Sequence, residues 1–477
     1  MSSSRRHFLG QCCSAVGTTG ILSTLAQLRA IGAVTGVPSG SPAPARAGAV
    51  PSDYKAIVCI FLAGGNDANN LIIPSGTAYS SYATQRNVIA VPNSGLLPIT
   101  PRTSDGRAWA LHPGVPELRT LFNSGKCAFL ANVGTLVEPT TLAEYTAGTV
   151  KLPPQLYSHN DQQVQWQSSV PDQPFRTGWG GRTADLLDAL NTNNQISMSI
   201  SLDSFNNFEV GRSVTQFSIS PAGVISFTGS NDRAGTSGAA RYAAQKDLYA
   251  ASNPNLFAAA FGNLSSDALG SSELLSSTLA AAPVLSTVFP ANSATTPNKL
   301  ADQLKMIAKL ISVSSTLGVK RQIFFARLGG WDLHADQVDE VNKAMGAHAS
   351  LLAQVSRAMN AFYDATVELG CADRVTTFTA SDFGRTYSSN GDGSDHGWGN
   401  HQIIVGGAVK GGDIYGRMPS LAVNGPDDTG RGRWIPSTSV DEYGATIARW
   451  FGVSETNLST AFPNIGRFAK PNLGFMT

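Results

Sequence analysis

Short apolar runs alternate along the chain with longer segments whose apolar residues recur every three or four positions. Four of these runs are rich in β-branched or aromatic residues, and glycine or small polar residues follow most of them, which predicts buried strands. They cover residues 55–63, 127–133, 322–328 and 374–380. Helical periodicity is clear in residues 341–370, and also in one segment with five apolar residues on one face: Leu300, Leu304, Ile307, Leu310 and Ile311. Strands alternating with helices predict an α/β fold, with a mostly parallel central sheet flanked by helices on both faces.

The alternation of strands and helices is interrupted once. Residues 48–190 and 298–477 follow it and are interpreted as the two parts of one α/β domain. Residues 191–297 are instead rich in Ser, Ala, Asn and Gly, with only weak strand and helix patterns. We interpret this segment as an insertion or cap on the main domain, which shapes access to the functional site.

The first 47 residues differ from the rest of the chain. Arg5 and Arg6 precede a mildly apolar stretch, and a segment rich in Pro, Ala and Gly follows it. This order predicts a signal peptide for the twin-arginine export machinery, cleaved after Ala47, with Ala45 and Ala49 as alternative positions. We therefore expect a periplasmic or extracellular protein. A disordered basic start to an intracellular protein is the alternative.

Composition narrows the possible partners. The 477 residues carry a formal net charge of +1, and 14 % of them are charged, so no nucleic-acid partner is predicted. No apolar run after residue 47 approaches the length of about 18 residues that a membrane span needs. Cys59, Cys127 and Cys371 lie in or beside apolar runs and are predicted to be buried free thiols, although one disulfide is possible in an oxidising compartment.

Acidic residues follow three of the predicted strands within a few positions. Asp67 follows the first strand, Asp332 the third and Asp382 the fourth. In an open parallel sheet, ligands bind outside the carboxyl ends of the strands. If these strands are parallel neighbours, we expect the three carboxylates to meet at one edge of the sheet.

Histidines are scarce in this chain, and several lie near these aspartates. His334 is two residues from Asp332, Asp395 and His396 are adjacent, and His401 follows five residues later. Imidazole and carboxylate groups together predict a divalent metal site holding one or two ions of zinc, manganese or calcium. Taken one at a time, each histidine is better explained as part of an ordinary polar loop, and only the group of them favours a metal site.

The nucleophile is less clear from the sequence. Ser158 precedes a helix-like stretch, and a hydroxyl at a helix N-terminus can bind or attack an oxyanion. Its alternative role is a helix cap. Asn69 and Arg385 are the residues predicted to stabilise negative charge that develops on a substrate.

Ordered motifs along nearly the whole chain resemble an exported bacterial family called domain of unknown function 1501. They include FLAGGNDANNLIIP, YSHNDQQVQWQ, GGWDLHADQ, SDFGRT and DHGWGNHQIIVGGAVKGGDIYGRMP. The resemblance implies the fold of the alkaline phosphatase and sulfatase superfamily, with a metal site at the strand ends.

The superfamily pattern can be placed on this chain in part. The resemblance implies Asp67 as the first strand-end ligand, Ser158 as the nucleophile, and Asp332 with His334 as the middle pair. It also implies His396 or His401 as the last ligand. Where the superfamily has a histidine after a later aspartate, this chain has Phe383 after Asp382, and Asp395 or His401 would have to compensate.

The sequence therefore predicts an exported, metal-dependent hydrolase of phosphate or sulfate esters. Its partner would be a small-molecule or polymer ester. The alternative is a non-catalytic envelope or surface protein that keeps the fold, with or without a structural metal. Carbohydrate or polymer binding through residues 191–297 is a third possibility.

Overall fold

The computed structural model describes residues 50–192, 195–224, 229 and 235–477. The predicted signal peptide, residues 1–47, lies outside the described residues. The strands of the described part are, in chain order, β1 (Lys55–Ala63), β2 (Ile72–Pro74), β3 (Leu97–Ile99), β4 (Trp109–Leu111), β5 (Cys127–Gly134), β6 (Ser199–Ser201), β7 (Phe217–Ser218), β8 (Arg321–Gly329), β9 (Val375–Ser381), β10 (Asn400–Gly406), β11 (Ile414–Tyr415) and β12 (Thr438–Ser439). The α-helices of this part are α1 (Tyr79–Arg86), α2 (Pro116–Asn123), α3 (Leu142–Ala147), α4 (His159–Ser168), α5 (Trp179–Leu187), α6 (Ser237–Ala250), α7 (Leu256–Ala280), α8 (Lys299–Ser312), α9 (Ala347–Glu368), α10 (Val440–Phe451) and α11 (Leu458–Ala461).

One large sheet organises the chain. Its strands lie in the order β11-β5-β10-β9-β1-β8-β6-β7, and β12 also pairs with β5. β1 is parallel to both of its neighbours, β8 and β9. Among the described strands of this sheet, β10 alone runs antiparallel to its neighbours, β9 and β5. The predicted mostly parallel sheet is confirmed. A small antiparallel sheet, β2-β4-β3, lies apart from it.

Both faces of the large sheet are buried, which explains the unbroken apolar runs of its central strands. Successive residues of β1 point to opposite faces. Val58 and Ile60 pack with residues of α2, α8 and α9 on one face, whereas Cys59 and Phe61 pack with residues of α5, α10 and α11 on the other. Helices therefore cover both faces, as predicted.

The local predictions agree with the structure to within a residue or two at most strand ends. The apolar face predicted around Leu304 and Ile307 is buried in α8. The helical pattern predicted over residues 341–370 is wrong at its start, because α9 begins only at Ala347. Gly346, just before it, has φ of 111°, a left-handed conformation that interrupts a helix.

The segment interpreted as an insertion, residues 191–297, is built partly into the large sheet. β6 pairs with β8, and β7 pairs with β6, so both extend the sheet at one edge. α6 and α7 follow, and Leu275 and Leu279 of α7 join the hydrophobic core beside α8 and α9.

Two further expectations concern membrane-spanning helices and the cysteines. In the part of the chain that the structure describes, no helix has the length and apolar character required to cross a bilayer. Cys59, Cys127 and Cys371 are all buried and unpaired, as the sequence predicted.

Candidate metal centre

Loops that follow neighbouring strands meet at the carboxyl edge of the large sheet. Asp332 and His334 follow β8, and Asp382 follows β9. Because β10 runs antiparallel to β9, the residues that precede β10, including His396, lie at this same edge. The reversed direction of a single strand thus brings together groups that are distant in sequence.

Three imidazole nitrogens and one carboxylate oxygen converge at this edge. Nε2 of His396 lies 3.1 Å from Nε2 of His159, the first residue of α4, and 2.8 Å from Nε2 of His334. Oδ1 of Asp332 lies 3.4 Å from Nε2 of His159, 3.1 Å from that of His334 and 3.3 Å from that of His396. We call these four residues the His/Asp cluster.

Each histidine of the cluster is held at its other ring nitrogen by an oxygen that can only accept a hydrogen bond. Nδ1 of His159 lies 2.6 Å from Oδ2 of Asp382, and Nδ1 of His334 lies 3.1 Å from Oδ1 of Asp395. Nδ1 of His396 lies 2.7 Å from the backbone carbonyl oxygen of Tyr157. These acceptors require a proton on every Nδ1, so in each neutral ring Nε2 presents a lone pair to the centre.

Three lone pairs and a carboxylate oxygen at such short range repel one another unless a positive charge lies between them. A tetrahedral zinc site, with ligands about 2.0–2.2 Å from the metal, has ligand–ligand separations of roughly 3.3–3.6 Å. The five separations given above run from 2.8 to 3.4 Å. The donor set and its spacing therefore fit a divalent ion.

Hydrogen bonds, neighbouring charges and burial shift the pKa values of the cluster residues in different directions. The hydrogen bond to Asp382 raises the pKa of His159, which makes Nε2 a stronger electron donor. Burial lowers the pKa of His396. Burial alone would raise the pKa of Asp332, but the hydrogen bond and charge of Arg385 outweigh it and lower that pKa, so Asp332 is ionised at neutral pH.

The Gly-Gly pair after β1 allows the loops to approach this closely. Gly64 has φ of 121°, and a Cβ there would lie 2.4 Å from the backbone nitrogen of Asp332. Gly65 has φ of 79°, and a Cβ there would lie 2.5 Å from the Phe383 ring. The backbone nitrogen of Gly64 also donates to both carboxylate oxygens of Asp382, at 3.2 and 3.3 Å.

Comparison with known sequences decides the family. The sequence profile described as "Protein of unknown function (DUF1501)" matches residues 54–457. The chain belongs to this family. No curated protein is significantly similar to it.

Solved structures similar to this DUF1501 chain are only distantly related. The lipoteichoic acid synthase LtaP from Listeria monocytogenes is 9 % identical, with 85 % of this chain and 75 % of LtaP covered and a TM-score of 0.30. The PsFucS1 sulfatase from Pseudoalteromonas sp. is 11 % identical, with 84 % and 68 % covered and a TM-score of 0.30. Similarity at this level does not assign an activity.

Of the seven metal ligands expected from sequence, five lie in the His/Asp cluster or contact its histidines. Asp332, His334 and His396 belong to the His/Asp cluster. Asp382 and Asp395 lie one step outside it, where each orients a histidine through Nδ1.

The structure does not bring Asp67 and His401 into the cluster. Both oxygens of Asp67 are engaged by protein donors: Oδ2 pairs with Arg86 and accepts from Gln337 at 2.6 Å, and Oδ1 accepts from Asn69 at 3.2 Å. His401 is buried and accepts a hydrogen bond at Nδ1 from the backbone nitrogen of Asn132. Burial lowers the pKa of His401 to about 4.

The residues expected to act on substrate also lie in different places. Nη1 of Arg385 donates to Oδ1 of Asp332 at 2.8 Å, so this guanidinium touches the cluster. Asn69 is buried behind it and donates to the Arg385 carbonyl at 3.1 Å. Ser158 lies at the N-cap position of α4, but its hydroxyl donates to Asp161 at 2.5 Å, and its oxygen does not cap the helix by accepting from a backbone N–H group.

His159 is the ligand candidate that sequence reasoning missed. It does not follow a predicted strand, so the strand-end pattern that singled out His334 does not include it, although it lies two residues from Asp161. Its signal is its place beside Ser158, at the first position of a helix. Phe383 is also part of this region, because its ring lies 4.7 Å from both the His159 and His396 rings.

We predict that Asp382→Asn weakens metal binding by about 10- to 100-fold, because an amide is a poorer acceptor for Nδ1 of His159 and leaves Nε2 less basic. Titration of the metal against a competing chelator measures the effect. Asp413→Asn is the matched control, since Asp413 is also buried but accepts from Thr103 beside β11. Equal affinities in the wild type and Asp382→Asn would contradict this role.

Proposed function

We propose that this chain is an exported, metal-dependent hydrolase of phosphate or sulfate esters. The observation that carries the proposal is the convergence of three Nε2 atoms and Oδ1 of Asp332, with each Nδ1 held by an acceptor. Bound there by His159, Asp332 and His396, whose ligand atoms lie within 4.8 Å of one another, with His334 beside them, a divalent ion would supply Lewis-acid polarisation of an ester oxygen.

The residues around the cluster support an anionic substrate. Arg385 is almost fully buried, and three protein oxygens hold its guanidinium, those of Asp332, Gly64 and Ser394. Its charge is therefore preorganised, as stabilisation of developing negative charge requires. Its Nε has no hydrogen-bond partner among the described residues.

Ser158 is the proposed attacking group. Its hydroxyl already donates to a carboxylate, Asp161, which is placed to accept the proton when the oxygen attacks. Water is the alternative nucleophile. Ser158→Ala separates the two, because it abolishes turnover only if the serine attacks.

The test is to purify the mature chain, measure its metal content and screen phosphate and sulfate esters. We expect one divalent ion per chain, because the carboxylate of Asp67 is already occupied by Arg86 and leaves no second carboxylate site at the end of β1. We expect hydrolysis that is lost on chelation and restored by the metal. Binding of a metal without turnover of any ester would favour the alternative, a non-catalytic envelope or surface protein.

A further inference from the structure

The His/Asp cluster is partly exposed to solvent. The side chains of Asp332 and His334 are each 45 % exposed, whereas the side chain of Asp382 is fully buried. Arg431 lies on the exposed side: its side chain is also 45 % exposed, and Nη1 lies 2.5 Å from Oδ2 of Asp395. Asp395 in turn contacts His334, so this guanidinium lies beside the exposed part of the cluster.

The backbone holds Arg431 in a conformation that arginine rarely adopts. Its φ is 61°, between Gly430 at 126° and Gly432 at 75°. Asp428 holds this turn, because its Oδ1 accepts from the backbone nitrogens of Gly430 and Gly432 at 2.7 and 2.8 Å. Left-handed backbone at a bulky residue is costly and concentrates at functional sites.

A second contact ties the same loop to the cluster. Nε of Arg433 donates to the backbone oxygen of His396 at 2.9 Å, and its guanidinium lies 4.9 Å from the centre of the Tyr157 ring. Tyr157 is the residue whose carbonyl orients His396. The loop that carries Arg431 is therefore held against the cluster through Arg433, which contacts both His396 and Tyr157.

The charges here balance without a metal. Three carboxylates contact the imidazoles, and three guanidiniums contact these carboxylates or the backbone of the cluster. They are Asp332, Asp382 and Asp395, and Arg385, Arg431 and Arg433. A divalent ion would leave an excess of two positive charges, which is more than one sulfate monoester or one phosphate diester neutralises, since each carries a single negative charge.

We propose that Arg431 recognises a second anionic group of the substrate, outside the group that reacts. This inference rests on the proposed function, since it concerns the same site. In it, the guanidinium exchanges part of its contact with Asp395 for the second anion. The substrate class is an ester with at least two sulfate or phosphate groups, as in a polyanionic oligomer.

The test measures binding of anions that cannot be hydrolysed, so it does not depend on turnover. The probes are ethanesulfonate and ethane-1,2-disulfonate, and the corresponding mono- and bisphosphonate, titrated calorimetrically into the metal-loaded chain. In at least one series, we expect the wild type to bind the probe with two anionic groups about tenfold more tightly than the probe with one, the lower end for a charge-assisted hydrogen bond. Arg431→Gln is expected to remove this preference, and Arg431→Lys to keep part of it.

Arg417→Gln is the matched control. Arg417 is also an exposed arginine paired with an aspartate, Asp427, at 2.8 Å, and it does not contact the cluster. The control is expected to bind like the wild type. The inference is overturned if the wild type shows no preference in either series, if Arg431→Gln weakens both probes equally, or if that variant loses its metal. Preference for the probe with two anionic groups, without any ester hydrolysis, would instead keep this inference and remove the proposed function.

Discussion

In the variant His159→Asn, we expect the affinity for a divalent metal to fall by at least about 100-fold, and ester hydrolysis to fall with it. Loss of an outer residue that orients a ligand costs about 10- to 100-fold, so loss of a ligand atom is expected to cost no less. The asparagine amide still donates to Asp382 in place of Nδ1, but it presents nothing in place of Nε2. Metal analysis and competition with a chelator measure the effect.

His401→Asn is the matched control, because the sequence pattern included His401 among the ligands and the structure places it elsewhere. The side-chain oxygen of asparagine can accept from the backbone nitrogen of Asn132, as Nδ1 of His401 does. We expect this variant to keep the metal and the activity. Retention of metal in His159→Asn together with its loss in His401→Asn would show that the cluster is wrongly assigned.

The second large effect is expected on stability. Arg86→Met should lower the free energy of unfolding by about 3–5 kcal/mol, because it leaves the buried carboxylate of Asp67 without its cation. Both side chains are buried, and Arg86 also donates to the backbone oxygens of Thr386 and Tyr387 at 3.0 and 2.9 Å. Chemical denaturation, followed by circular dichroism and by tryptophan fluorescence, measures the change.

Two further variants show whether the effect comes from the unpaired charge. Arg417→Met removes an arginine that is 62 % exposed from its pair with Asp427, and we expect a loss below about 1 kcal/mol. The double variant Asp67→Asn/Arg86→Met removes both buried charges, and we expect it to be more stable than Arg86→Met alone. A double variant that is less stable would contradict the charge explanation and point to lost packing.

Local patterns predicted the frame of this protein well for a physical reason. A strand buried on both faces, such as β1, must be apolar at every position, so its sequence is recognisable without any partner. The face of α8 is recognisable in the same way, because one side of a helix must be apolar to cover the sheet. The start of α9 could not be placed from sequence, because the helical spacing of apolar residues extends to positions before Gly346, whereas the helical backbone begins only after it.

The positions of the strand ends also indicated which loops contain functional residues, but not which partner each side chain would contact. Asp67 and Asp332 occupy equivalent places after neighbouring strands. One is neutralised by Arg86, which lies nineteen residues later, and the other faces the imidazoles. His334, two residues after Asp332, distinguishes the two loops in sequence, but nothing in the loop after β1 shows that Arg86 will pair with Asp67.

The sequence by itself determined the family, the α/β alternation and three of the four groups in the His/Asp cluster, because these depend on local composition and on the ends of strands. Only the tertiary structure decided the rest. It brought His159 to the edge from a helix, turned Asp382 and Asp395 toward Nδ1 atoms, and withdrew Asp67 into an ion pair. Whether a polar side chain meets a metal, a histidine or an arginine depends on neighbours supplied by distant segments, and local sequence does not encode them.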